Sequence, residues 1–208
     1  MIRDDFLLRS QRLLIRSWQR QDYHTMDTWP PFTEPLSAIW NLPDRVVVGE
    51  MDWGTSIRRT YAVALHDGAL VGRITLRDIE PNNTSARLGI TIGSPFVSQG
   101  YGTESMRCFL NEYFTGMRFK KMVLDVAAVN ERAVRCYRRL GFQLTASHWR
   151  DAGHRFLSTL DPATVATIEP FIRRGRHTIW AQFYDMALPR EQWLQQPNRH
   201  SLFSSPGS

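Results

Sequence analysis

The chain has very little lysine and very little cysteine. Lys120 and Lys121 are its only lysines, so arginine carries nearly all of its cationic charge, and Cys108 and Cys136 are its only thiols. Two cysteines this far apart, in no C-x-x-C pair, exclude a disulfide scaffold and suit a reducing compartment such as the cytoplasm. Long apolar runs are also missing. No stretch approaches the roughly 20 apolar residues that span a bilayer, and Arg3, Asp4, Asp5 and Arg9 interrupt the leucines where a secretory leader would be apolar. The expectation is a cytoplasmic protein with no membrane partner. Repeats with a period of 20 to 50 residues are absent, which excludes solenoids and propellers.

The formal charge is +6, but the cations are scattered and clusters such as Arg138/Arg139 and Arg173/Arg174/Arg176 are short. That pattern reads as a solvated face with attraction for an anionic cofactor, and it argues against a nucleic-acid surface. At 208 residues and 42% hydrophobic content the chain can fill one core. It reads as a single domain over residues 1–196, with an insertion at about 157–175 and a mobile Pro/Ser/Gly-rich tail at 197–208.

Leu13 to Ser17 reads as a short strand, followed by a polar helix start at Gln21-Asp22. The stretch from Glu34 to Ile57 carries no clear signal. Tyr61 to Leu65 and Leu70 to Leu76 flank His66-Asp67-Gly68-Ala69, a strong hairpin signature. In Arg87 to Gly93, Leu88, Ile90 and Ile92 alternate with Gly89, Thr91 and Gly93, giving a strand with one greasy and one small face. Glycine weakens a strand unless something approaches the backbone, so the small face is a candidate ligand shelf. Met106, Phe109/Leu110, Tyr113/Phe114 and Met117 then recur at helical spacing up to Gly116. Met122 to Val129 is a buried strand, and Asn130 caps a second helix that stops at Gly141. Phe142 to Ser147 and Thr178 to Leu188 are two further strands, and the second is a candidate exposed edge for pairing across a homodimer. The class is α/β (α+β), with helices packed on a mixed sheet.

Between a strand and a helix lies Val97-Ser98-Gln99-Gly100-Tyr101-Gly102-Thr103-Glu104. Backbone N–H groups at a helix start are unpaired and carry partial positive charge, so phosphates dock there. A dinucleotide fingerprint would need glycine where Ser105 stands, and a P-loop would need a lysine that is absent. His148 and His154 have no partner at zinc spacing, so no metal is expected. Ser98, Ser105 and the histidines form no nucleophile elbow or triad signature.

Three runs carry a resemblance: Arg87 to Gly93, then Gln99-Gly-Tyr-Gly-Thr-Glu104, then the pattern N-x-x-A-x-x-x-Y-x-x-x-G-F, matched at every specified position from Asn130 to Phe142. In these the chain resembles the GNAT N-acetyltransferase superfamily, in the branch of ribosomal-protein alanine and spermidine acetyltransferases. The resemblance is firm from about Ala62 to Phe142. It implies a GNAT-type, largely antiparallel twisted sheet of about six to seven strands with helices on both faces. It also implies acetyl-CoA as cosubstrate and a primary amine as acceptor. Ile90, Thr91 and Ile92 would pair their backbone with the pantetheine arm, Val97, Ser98, Gln99, Gly100, Tyr101, Gly102 and Thr103 would hold the pyrophosphate, and Asn130 would contact the arm. The chain departs from the family loop at Val97, where Gln or Arg is usual, and at Ser98, where this branch often has glycine.

Tyr137 lies on an apolar helix stripe, which fits a core residue. It also lies two turns, about 10.5 Å, beyond Asn130 on the same helix face. The motif match favours the role of general acid to the departing CoA thiolate. A base must take the amine's proton, and Glu80, Asp78 and Glu50 are candidates. The alternative to an enzyme is a non-catalytic acyl-CoA-binding protein with the same fold.

Overall fold

The computed structural model describes residues 6–33, 35–40 and 58–197. Most of the stretch from Glu34 to Ile57, including the candidate base Glu50, lies outside these residues, as does the tail beyond Pro197. In chain order the elements are β1 (Leu7–Arg9), β2 (Leu13–Ser17), α1 (Arg20–Asp27), β3 (Arg59–Leu65), β4 (Leu70–Arg77), β5 (Ser85–Ile92), α2 (Tyr101–Thr115), β6 (Lys121–Ala127), α3 (Glu131–Arg139), β7 (Gln143–Asp151), α4 (Pro162–Ile168), β8 (Ile172–Arg174), β9 (Ile179–Pro189) and α5 (Arg190–Leu194). The described residues group into two compact units, one of residues 6–31, 58–123 and 188–197, the other of residues 32–40 and 124–187.

In the first unit β1 to β5 form an antiparallel meander, with Leu8 opposite Ile15, Ile15 opposite Val63, and Ile74 opposite Ile90. The hairpin between β3 and β4 turns as expected, with Gly68 at φ 93° and the Leu65 N–H donating to Ala69 O at 2.8 Å. β6 then joins β5 in parallel, a pairing that needs a crossover, and α2 supplies it. The crossover helix is held by its apolar stripe. Met106, Phe109, Leu110, Tyr113 and Phe114 are all buried, each contributing about 2 kcal/mol of transfer free energy. Tyr113 stacks on Phe119 with ring centroids 4.2 Å apart and donates its hydroxyl to Lys121 O at 2.8 Å. Trp193 of α5 packs on Phe114 from the same unit.

In the second unit β9 has β7 along one edge, from Gln143 opposite Ala187 to Asp151 opposite Trp180. β8 pairs with it over Ile179 to Ala181. The expectation of an exposed edge at Thr178 to Leu188 is therefore corrected, because β9 lies between β6 and β7 in the strand order, with β8 beside its first residues. The segment 157–175, expected to be an insertion, is a folded piece of this unit. Asp161 caps α4 by accepting from the Thr164 N–H at 3.0 Å, Pro162 stands in the first turn, and Phe156, Ile168 and Ile172 bury themselves with Ala127, Val129, Ala181 and Phe183.

Nine strands are present among the described residues, two more than the sequence reading counts. The additions, β1 and β8, have three residues each, too few for an alternating pattern to show. The mixed, largely antiparallel arrangement flanked by helices agrees with the expected class. No described helix is long and apolar enough to cross a membrane.

Candidate functional site

The segment after β5 is shaped by two residues in the left-handed region. A 3-10 turn at Ser94–Phe96 follows Gly93, after which Ser98 sits at φ 62° and Gly100 at φ 84°. Glycine adopts that conformation without cost and serine does not, which gives a physical reason why glycine suits position 98. Gly100 is the N-cap of α2. The Glu104 N–H donates to Gly100 O at 3.0 Å as the first intrahelical bond, so the N–H groups of Tyr101 and Gly102 come before the helix's own ladder.

A clamp from the distant β1–β2 turn grips this loop, and nothing in the sequence reading pointed to it. Glu104 is buried in the first turn of α2 and accepts from Ser10 Oγ at 2.8 Å, from the Arg12 backbone N–H at 2.8 Å and from Arg12 Nε at 2.7 Å. Burial pushes its carboxyl upward, but these three bonds and the adjacent guanidinium outweigh burial and hold it below the ordinary carboxylate range. The same guanidinium donates to Gln99 O at 3.1 Å and lies 4.6 Å above the Tyr101 ring. The only signal available in the sequence was a Glu in the first turn of a helix, which many helices have.

β5 offers a stretch of free edge. Among the described residues its pairing with β6 covers only Ser85 to Arg87, opposite Lys121 to Val123, whereas β5 runs on to Ile92. Ile90, Thr91 and Ile92 are bonded on one side, to Ile74, Arg73 and Gly72. Their other edge has no β6 partner. At Gly89 an added Cβ would meet nothing nearer than 3.9 Å, and the reading of a small face kept for a ligand is corrected at Gly93. A Cβ there would come within 2.7 Å of the Trp29 ring, so Gly93 is small because this indole covers it.

Asn130 and Tyr137 belong to the second unit. Asn130 caps α3, its Oδ1 accepting from the Ala133 N–H at 3.1 Å, and its Nδ2 has no partner among the described residues. Tyr137 is buried against Phe142, ring centroids 5.7 Å apart. Burial, then the charges of Cys136 and Asp125, push the phenol far above its ordinary value. Its hydroxyl nevertheless makes no hydrogen bond among the described residues.

The candidate bases fare differently. Asp78 is exposed and accepts from Arg87 Nε at 3.1 Å, and Glu80 is exposed on its turn. His148 has unanticipated company: its Nδ1 meets Asp185 Oδ2 at 3.0 Å, its Nε2 accepts from Arg150 Nε at 3.0 Å, and Arg150 also pairs with the buried Asp125 at 2.9 Å. No metal-binding cluster occurs among the described residues.

The chain is 27% identical over 113 residues to spermidine N(1)-acetyltransferase of Escherichia coli (strain K12), a match covering 54% of this chain and 59% of that protein. It is 26% identical over 141 residues to YdaF of Bacillus subtilis (strain 168), provisionally named a ribosomal N-acetyltransferase, covering 64% of this chain and 70% of that one. Among solved structures, spermidine N-acetyltransferase from Vibrio cholerae in complex with CoA and spermine aligns with a TM-score of 0.59 at 19% identity, over 88% of this chain and 98% of that one, which shows a shared fold. The profile of the acetyltransferase (GNAT) domain matches residues 12–143. That match covers more than half of the sequence, and the chain belongs to the GNAT acetyltransferase family.

Proposed function

We propose that this acetyltransferase moves an acetyl group from acetyl-CoA directly to a primary amine within a ternary complex, with no acyl-enzyme. The observation that carries the reading is the free edge of β5 leading into the Gly100 turn and the open first turn of α2. A strand edge suits the amide-bearing pantetheine arm, and unpaired amides at a helix start suit a diphosphate. Residues 90–92 serve the first, residues 97–103 the second, and the Asn130 Nδ2 is a spare donor for the arm. Val97 supplies no polar side chain, so the cradle is mainly backbone.

Acetyl-CoA supplies an activated thioester carbonyl. As the neutral amine forms its N–C bond to that carbon, a backbone N–H of β5 stabilises the oxygen as it turns anionic. The C–S bond then breaks, and the Tyr137 hydroxyl donates toward the sulfur while the ammonium proton leaves to a base or solvent. The names of the two curated relatives, a spermidine N(1)-acetyltransferase and, provisionally, a ribosomal N-acetyltransferase, both denote acetyl transfer to nitrogen, which supports a primary amine as acceptor class.

The test is amine-dependent release of CoA from acetyl-CoA across polyamines, peptide N-termini and small amines. Release with at least one class is expected. Tight acetyl-CoA binding with no release from any amine would leave the chain as a binding protein of the same fold.

A further inference from the structure

We propose that Arg12 is a positioning residue for the phosphate loop, aiming a backbone donor of that loop from the β1–β2 turn. The inference rests on residues 97–103 being the cofactor's phosphate site. Its physical basis is the geometry of one peptide plane. In a trans peptide the C=O of one residue and the N–H of the next point in opposite directions. Arg12 holds Gln99 O at 3.1 Å, so the Gly100 N–H is turned to the side away from Arg12, and rotating it back would break that bond.

The guanidinium suits this task because it is a rigid fork. Its Nε is fixed on Glu104 at 2.7 Å, its plane lies over Tyr101, and its NH2 lies 3.2 Å from where a Cβ on Gly100 would be. One side chain therefore ties the entry of the loop at Gln99 to the first turn of α2 at Glu104. A flexible residue at Gly100, with φ 84°, would otherwise leave that peptide free to flip. The loop contains no basic side chain from Val97 to Thr103, so the order of its amides matters more than it would in a loop carrying its own cation.

Glu104 does not depend on the guanidinium alone. Ser10 Oγ and the Arg12 backbone N–H also bond it, so Arg12→Met keeps the apolar stem and two of the three contacts to this carboxylate. Coenzyme A and phosphate-free pantetheine are titrated side by side into the parent, Arg12→Met and Arg12→Lys, with urea midpoints recorded for each. The parent should bind coenzyme A far more tightly than pantetheine; equal affinities would sink the phosphate-loop reading itself. Given that preference, Arg12→Met should weaken coenzyme A roughly ten-fold, the scale of one charge-assisted bond, and leave pantetheine unchanged. Arg12→Lys should stay close to Arg12→Met, because an ammonium cannot hold Gln99 O and Glu104 in one plane. Unchanged coenzyme A affinity in Arg12→Met overturns the proposal, as does full recovery in Arg12→Lys, which would make Arg12 a plain charge. Equal losses for both ligands with a lowered urea midpoint also overturn it, since the residue would then serve the fold alone.

Discussion

Arg150 donates its Nε–H to Nε2 of His148 at 3.0 Å, and this bond settles which ring nitrogen carries the proton. Arginine can only donate, so Nε2 must accept and the hydrogen of the neutral ring lies on Nδ1, toward Asp185 Oδ2 at 3.0 Å. The result is an ordered chain from Asp185 through His148 and Arg150 to Asp125, laid across β9, β7 and β6 within the second unit.

Arg150 is the pivot of that chain. Both it and Asp125 have side chains only 6% exposed, and the guanidinium also covers the Phe183 ring at 4.2 Å. Removing one member of a buried pair strands the other charge, so Arg150→Met should destabilise the protein by about 3 kcal/mol. Denaturant unfolding measures this. A loss under about 1 kcal/mol would mean that the pair is exposed to water in solution.

Tyr137 tests the chemistry. Burial keeps the phenol protonated, so it has a proton at any working pH and its own ionisation should not shape the pH–rate profile below about pH 10. The same burial makes it a weak acid, and a thiol that ionises near 8.5 draws its proton only partway. Tyr137→Phe should therefore lower kcat about 100-fold, the low end for acid catalysis, with acetyl-CoA affinity retained. A fall in affinity with kcat unchanged would assign Tyr137 to binding.

Asp22 anchors the start of α1. Arg16 grips it with two bonds of 2.8 Å, and its Oδ2 also accepts from the Gln19 N–H at 2.8 Å as the reciprocal half of the helix cap. Burial raises its pKa, but Arg16 and the Gln19 N–H outweigh burial, and the net value falls below the ordinary 3.8. A carboxylate with a depressed folded pKa stabilises the protein above the unfolded value and loses that contribution as pH falls through the folded one. Asp22→Asn should cost about 2–3 kcal/mol at pH 7, and the gap to the parent should narrow below pH 4. A constant gap down to pH 2 would show that charge is not what Asp22 contributes.

What the sequence reveals and what it hides divide along contact distance. The Asp67-Gly68 turn, the α2 stripe and the Asn130 cap are local signals, each decided by residues within two helical turns, and each appears where the sequence places it. Arg12 with Glu104 are 92 positions apart, and no periodicity encodes a partner at that distance. Trp29 over Gly93 is the instructive miss: a glycine in a strand signals close approach, but the sequence does not say whether the visitor is a ligand or a side chain of the chain itself. His148, which the sequence marks neither as a metal ligand nor as a triad member, gains its meaning from β7 pairing with β9, which brings Asp185 beside it.

The alkaline limit of stability should be set by groups that the fold keeps protonated. Cys108 on α2 is buried, its Sγ 3.7 Å from Arg9 O, and burial, with Glu104 and Glu112 nearby, pushes its thiol up to about 12 from 9.0. Between those values the folded chain holds a proton that the unfolded chain has released. Unfolding then releases protons, so stability falls as pH rises from about 9, by up to about 1.4 kcal/mol per unit. Tyr113 and Tyr137, both raised by burial from 10.0, add their share above pH 10. Urea midpoints at pH 8, 9 and 10 for the parent and Cys108→Ala separate these groups. The variant should be less stable at pH 8 because of its lost packing, yet decline more slowly up to pH 10. Parallel declines would mean that Cys108 ionises in the folded state as readily as in the unfolded chain, with the first turns of α2 open to water.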